Sequence, residues 1–108
     1  MIKEAEDRGT KVVRIGDTRG ANTRKEAPAL LIDPPLDIQA MQEEIFGPIL
    51  PVITVPSLDD GINLVNERAK PLALYAFSDN DEVLDRIISS TSSGSVCTND
   101  TMLFMTNP

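Results

Sequence analysis

Two places in the sequence carry side chains capable of chemistry: the single thiol, Cys97, and the run Glu43-Glu44-Ile45-Phe46-Gly47-Pro48. A thiol becomes a nucleophile only as the thiolate, which needs a base or a neighbouring cation. The sequence contains no histidine. A Cys–His dyad, a Ser–His dyad and a histidine-ligated metal site are therefore all excluded for this chain taken alone. Cys97 stands in Ser95-Val96-Cys97-Thr98, with no adjacent cationic residue. It reads as a small apolar strand residue with a structural role. The acidic run is odd in a different way. Two carboxylates, two large apolar side chains and a Gly-Pro break match neither a helical nor a strand period. Taken on residue type alone, Glu43 and Glu44 form a solvated acidic turn and Phe46 belongs to a core.

These residues must be positioned by a chain of 108 residues, room for one compact domain and no more. With 41% apolar and 25% charged residues, the composition is that of a soluble globular protein and excludes global disorder or a fibrous repeat. Aromatic residues are only 4% of the total, so the core must be aliphatic. No apolar stretch approaches the length of a membrane span, and Met1 is followed by charged residues rather than by a secretory signal. One cysteine cannot form an internal disulfide, which points to a reducing, cytoplasmic location. The net charge of −7 is unevenly placed. Residues 1–25 carry seven basic groups against four acidic ones, a net of +3, and the remainder has a net of −10. An acidic body repels phosphate backbones, so no nucleic-acid partner is expected.

Residues 2–8 form the tail of a helix ended by a left-handed cap at Gly9. Lys11-Val12-Val13-Arg14-Ile15 is a strand. The polar residues 16–27 are a surface loop, and Ala29-Leu30-Leu31-Ile32 is a second strand, cut off by Asp33-Pro34-Pro35. A helical turn is expected over 37–42 and a strand over 49–55, with Pro51 demanding a bulge or an unpaired edge. Ser57 begins a helix with Asp60 in a capping-box variant, and Leu58, Ile62, Val65 and Ala69 form its buried face. Lys70-Pro71 stops it. The apolar run 72–77 is a strand covered on both faces. Asp79 with Glu82 starts a further helix, with Val83, Leu84, Ile87 and Ile88 as its apolar stripe. Ser95-Val96-Cys97-Thr98 is the last strand. This alternation predicts an α/β fold with a parallel sheet. Met1 falls inside a running helix and Thr106-Asn107-Pro108 closes no element, so the chain is expected to be truncated at both ends.

Gln42-Glu43-Glu44-Ile45-Phe46-Gly47-Pro48 resembles the EEIFGP motif of the aldehyde dehydrogenase superfamily. LVNERAKPLALYAFS (residues 64–78), SSTSSGSVCTND (residues 89–100) and Ala27-Pro28-Ala29-Leu30-Leu31 are similar to the class 3 branch, which includes the fatty-aldehyde and coniferyl-aldehyde enzymes. The resemblance runs along nearly the whole chain in the right order. It implies that residues 1–108 are a partial aldehyde dehydrogenase catalytic domain, its later part, and the parallel-sheet portion of that fold. It also implies the family's chemistry: oxidation of an aldehyde to a carboxylic acid with NAD or NADP. There a Cys thiolate attacks the aldehyde, hydride passes to the nicotinamide, and water activated by a Glu releases the acid.

Two positions carry over as cofactor-binding residues. Glu44 matches the family's Glu that accepts hydrogen bonds from the nicotinamide-ribose hydroxyls, for which two carboxylate oxygens are suited. Phe46 matches the residue packed beside the nicotinamide, and remains open between that role and a core role. Gly47-Pro48 would turn the chain so that both side chains reach the cleft. Glu43 keeps its ordinary surface role. Asn99 matches a family Asn beyond the last strand, which the resemblance implies ties loop backbone near the active site.

The departures matter as much. The family's nucleophilic Cys lies far upstream of the motif, further than the 42 residues that precede Glu43 here. The general-base Glu, the oxyanion Asn and the dinucleotide-binding domain are also upstream. No catalytic residue is therefore assigned, Cys97 included, and the chain is expected to be inactive alone. In the complete protein the partners would be an aldehyde and the nicotinamide cofactor, with a homodimer as the assembly. The alternative is a free-standing α/β interaction module derived from the same scaffold. Exposed strand edges in a piece of parallel sheet weigh against it.

Overall fold

Gly9 ends the first helix as the sequence predicts. Helix α1 (Ile2–Asp7) closes in a Schellman motif, with Gly9 at φ +80°. The Gly9 amide donates to the Glu6 carbonyl at 3.0 Å and the Thr10 amide to the Ala5 carbonyl at 2.9 Å. The computed structural model describes residues 1–16 and 26–101. The loop expected over 16–27 falls almost wholly outside the described residues, as does Thr106-Asn107-Pro108. The chain divides into two units, Met1–Thr54 and Val55–Pro108.

In the first unit, α1 is followed by β1 (Lys11–Arg14), β2 (Ala29–Ile32), α2 (Gln39–Gln42) and β3 (Ile49–Val52). The strands form one sheet in the order β1-β2-β3. β3 runs parallel to β2, with Leu31 opposite Pro51, whereas β1 is antiparallel to β2, with Val12 opposite Leu31. The expected parallel pairing holds for β2 with β3, and β1 joins them antiparallel. The sequence between β1 and β2 has no apolar helical stripe of the kind a parallel crossover needs. The core consists of Ala5, Leu31, Ile38, Ala40 and Met41, with Val12, Ile45, Ile49 and Ile53 packed against it. Pro51 needs no bulge. The Ala29 amide donates to Pro48 and the Asp33 amide to Val52, so the two-residue repeat of a parallel ladder turns Pro51 toward the outer edge, where its missing donor costs nothing.

In the second unit, α3 (Leu58–Asn66), β4 (Ala73–Ala76), α4 (Asp81–Ser90) and β5 (Ser95–Thr98) follow in order. β4 and β5 pair in parallel around α4, with Tyr75 opposite Cys97. Ser57 caps α3: its hydroxyl accepts from the Asp60 amide at 3.1 Å and donates to the Asp60 carboxylate at 2.6 Å. The helix stops at Asn66, before Lys70-Pro71, because the Arg68 amide bonds the Val65 carbonyl three residues back and tightens the last turn. Ala69 lies outside the helix and is exposed. α4 is capped by Asn80, one residue later than predicted; its side chain accepts from the Glu82 and Val83 amides. α3 and α4 are tied by an Arg86–Asp59 ion pair and by Asn66, whose amide group donates to the Ser90 carbonyl.

β4 is not covered on both faces. Ala76 is buried, but Leu72 is 85% and Phe77 63% exposed, both just outside the strand. Among the described residues β4 has β5 as its hydrogen-bonded neighbour, and one strand with two helices leaves part of its apolar run open. Just ahead of the two strands Gly94 lies against Leu72, where a Cβ would stand 2.6 Å from the Leu72 carbonyl oxygen.

Each parallel pair is closed at its carboxyl end by a residue in the left-handed region. After β2, Asp33 (φ 47°) donates its amide to the Val52 carbonyl. Its carboxylate accepts from the Thr54 amide at 2.6 Å and from the Thr54 hydroxyl at 3.2 Å. After β5, Asn99 (φ 55°) donates its amide to the Ala76 carbonyl, and its side-chain oxygen accepts from the Ser78 amide at 2.9 Å. The loop-tying role expected of Asn99 is thus present as a backbone clasp.

Candidate functional site

Glu44 and Phe46 lie between α2 and β3, and both ends of that segment are held. On the α2 side, the Glu43 amide donates to the Gln39 carbonyl at 3.0 Å, and the Glu43 carboxylate accepts from the Gln39 side chain at 3.0 Å. The Gln42 side chain donates to the Leu36 carbonyl at 2.6 Å. Glu43 is thereby occupied within the chain, in keeping with its ordinary role in the sequence. On the β3 side, the Ile49 amide reaches back to the Gly47 carbonyl at 2.9 Å. That three-residue turn is centred on Pro48, whose ring fixes the φ it requires. The Pro48 carbonyl then accepts the Ala29 amide, so the turn feeds directly into the sheet.

Between these anchors burial alternates. Ile45 is half-buried against the core, while Glu44 is exposed and Phe46 is 91% exposed. Ile45 acts as the pin of the segment, and its two neighbours are left on the solvent side. The core reading of Phe46 is thereby set aside within this unit. Among the described residues nothing bonds the Glu44 carboxylate. An exposed acceptor next to an exposed flat apolar ring can hold a polyhydroxy ligand that carries an aromatic group. Cys97 is a half-buried free thiol on β5, in the other unit.

Sequence reasoning missed how the segment is braced. The Gln39 amide, first of α2, donates to the Glu4 carboxylate at 3.0 Å. Arg8 forks onto the Asp37 carboxylate at 3.1 and 3.3 Å. These partners stand 35 and 29 positions apart, and no local period or spacing reports such pairs.

The aldehyde dehydrogenase family model matches residues 1–108. The chain belongs to the aldehyde dehydrogenase family. It is 50% identical over 94 residues to mouse aldehyde dehydrogenase family 3 member B3, covering 87% of this chain and 20% of that protein. It is 46% identical over 99 residues to the mouse dimeric NADP-preferring aldehyde dehydrogenase, covering 92% of this chain and 22% of that one. The substrate-bound state of Staphylococcus aureus AldH superposes with a TM-score of 0.83 at 38% identity, covering 99% of this chain and 22% of that one. The chain thus spans about a fifth of the length of the curated relatives it matches. The α/β class, the family resemblance read from the EEIFGP run and the class 3 likeness read from residues 64–78 and 89–100 agree with these relatives. No helix among the described residues of this family member is long and apolar enough to cross a membrane.

Proposed function

We propose that this chain is part of the catalytic domain of an NAD(P)-dependent aldehyde dehydrogenase that oxidises aldehydes to carboxylic acids. Glu44 would hold the nicotinamide-ribose hydroxyls and Phe46 would pack beside the ring. The observation that carries this reading is the alternation at Glu44, Ile45 and Phe46, in which a pinned Ile45 leaves on the solvent side a ring and a carboxylate that has no partner among the described residues. When bound, the nicotinamide would accept the hydride that leaves the substrate carbon. Glu44 contributes acceptors and negative charge, so its work is orientation rather than proton transfer. Phe46 limits how far a flat ring can tilt. The reading includes inactivity of the chain alone, because the nucleophile and general base belong to upstream parts of the family's domain. It also includes a cytoplasmic location and a homodimeric complete protein. The lone free thiol favours the first, and the dimeric name of the mouse relative favours the second.

The test is Glu44→Gln in the complete protein. Glutamine keeps the shape but loses the charge-assisted bonds, and single-turnover hydride transfer should slow about tenfold. An unchanged rate sinks the role of Glu44.

A further inference from the structure

Helix α2 has four residues and no cap of its own. Its N-cap position is Ile38, an apolar side chain with 0% exposure in the core. The first amides of a helix have no intrahelical acceptor and need one from elsewhere. Here the acceptor comes from another helix: the carboxylate of Glu4, half-buried on α1, takes the Gln39 amide at 3.0 Å. Two further contacts bind α1 to the same place. Ala5 shares the core with Ile38, Ala40 and Met41, and Arg8 forks onto Asp37 just ahead of α2. From Gln39 the connection continues without a gap, because its side chain holds the Glu43 carboxylate and its carbonyl holds the Glu43 amide. Glu44 is the next residue.

We propose that Glu4 is a positioning residue for the segment 44–46: by capping α2 through the Gln39 amide, it sets where Glu44 and Phe46 emerge. Its consequence for cofactor handling rests on the nicotinamide reading of Glu44; the structural inference does not. Glu4 also lies in the first turn of α1, where any acid helps through the helix dipole. Two variants separate these roles. Glu4→Gln removes the charge but keeps an acceptor for the Gln39 amide. Lys3→Ala perturbs α1 at an exposed pair with Asp7 and leaves the cap intact.

The experiment is amide exchange, read by mass spectrometry on the full chain, for Glu4→Ala, Glu4→Gln and Lys3→Ala. In Glu4→Ala, residues 39–46 should exchange about fivefold to tenfold faster. Glu4→Gln and Lys3→Ala should stay near the parent, and Asp81–Ser90 should be unchanged in all three. Unaltered exchange over 39–46 in Glu4→Ala overturns the proposal, and so does Glu4→Gln exchanging as fast as Glu4→Ala. A second readout is a double-mutant cycle in the complete dehydrogenase. Glu4→Ala should slow hydride transfer about threefold to fivefold with Glu44 present, and add nothing when Glu44 is already Gln. Additive effects overturn the route through Glu44. Should Glu44→Gln itself leave the rate unchanged, the nicotinamide reading falls, while the exchange result still decides the role of Glu4.

Discussion

The two units close their parallel strand pairs with the same clasp, built in opposite chain order. In the first, the left-handed residue Asp33 follows the earlier strand and catches Thr54, beyond the later one. In the second, Asn99 follows the later strand and catches Ser78, beyond the earlier one. In each, the clasp residue's amide bonds the last carbonyl of the partner strand, and its side chain takes the amide two residues further on. What recurs is the carboxyl end of a parallel pair, where the ladder stops and the next amide needs an acceptor. Asp and Asn serve because a short polar side chain can bond locally while tolerating a positive φ. The units differ in what else supports them. The first surrounds Leu31 with Ala5, Ile38, Ala40 and Met41, whereas among the described residues the buried apolar ones of the second are Ile62, Ala76 and Leu84. With fewer buried side chains among its described residues, the second unit draws attention to its backbone fit.

The largest test of that contrast is Gly94→Ala. Its Cβ would meet backbone, the Leu72 carbonyl oxygen that also accepts the Ser95 amide, so the strands must part rather than a side chain swing aside. A loss of about 3 kcal/mol is expected in the exchange stability of β4 and β5. A loss below about 1 kcal/mol would show that the close approach is slack. Next come the clasps. Asp33→Ala removes two bonds, both accepted by its carboxylate, and should cost about 2 kcal/mol in the first unit. Asn99→Ala removes one neutral bond and should cost about 1 kcal/mol in the second. Equal losses would mean that the carboxylate's charge adds nothing. Glycine at either position should recover part of the loss, because it relieves the positive φ without restoring the bond. The smallest effect belongs to Cys97→Ser, two residues before Asn99. It should cost less than about 1 kcal/mol and leave the dehydrogenase activity proposed for the complete protein nearly intact. A folded but inactive Cys97→Ser protein would overturn its structural role.

Much of the fold was legible because its signals are local. Gly9, Ser57 and the stripe Val83-Leu84-Ile87 announce a cap, a start and a buried face within one or two turns of chain, although Ile88, expected in that stripe, is exposed at its edge. Strands Ala29–Ile32 and Ser95–Thr98 fall where their apolar runs end in Asp-Pro and beyond a Ser-Gly break. Strand direction was less legible, since β1 turns back on β2 through residues whose polarity says only that they form a loop. The cover expected over 72–77 failed for a related reason. An apolar run reports what a strand prefers against it, not what the chain supplies. At the candidate site, the EEIFGP run was readable as a motif. Its support was not, because Glu4, Arg8 and Asp33 reach partners 35, 29 and 21 positions away.

The four residues of α2 also bear on the order in which the molecule takes shape. A single turn is far below the length at which a helix holds itself together in water. Its acceptor from Glu4 and the Arg8 that forks onto Asp37 just ahead of it both come from distant parts of the chain, and loop closure must precede each of them. Glu44 and Phe46 therefore take their places late in folding, after α1 has docked on the sheet. In a growing or partly unfolded chain the EEIFGP run is a plain acidic linker, and it gains a defined shape only when the rest of its unit is already native.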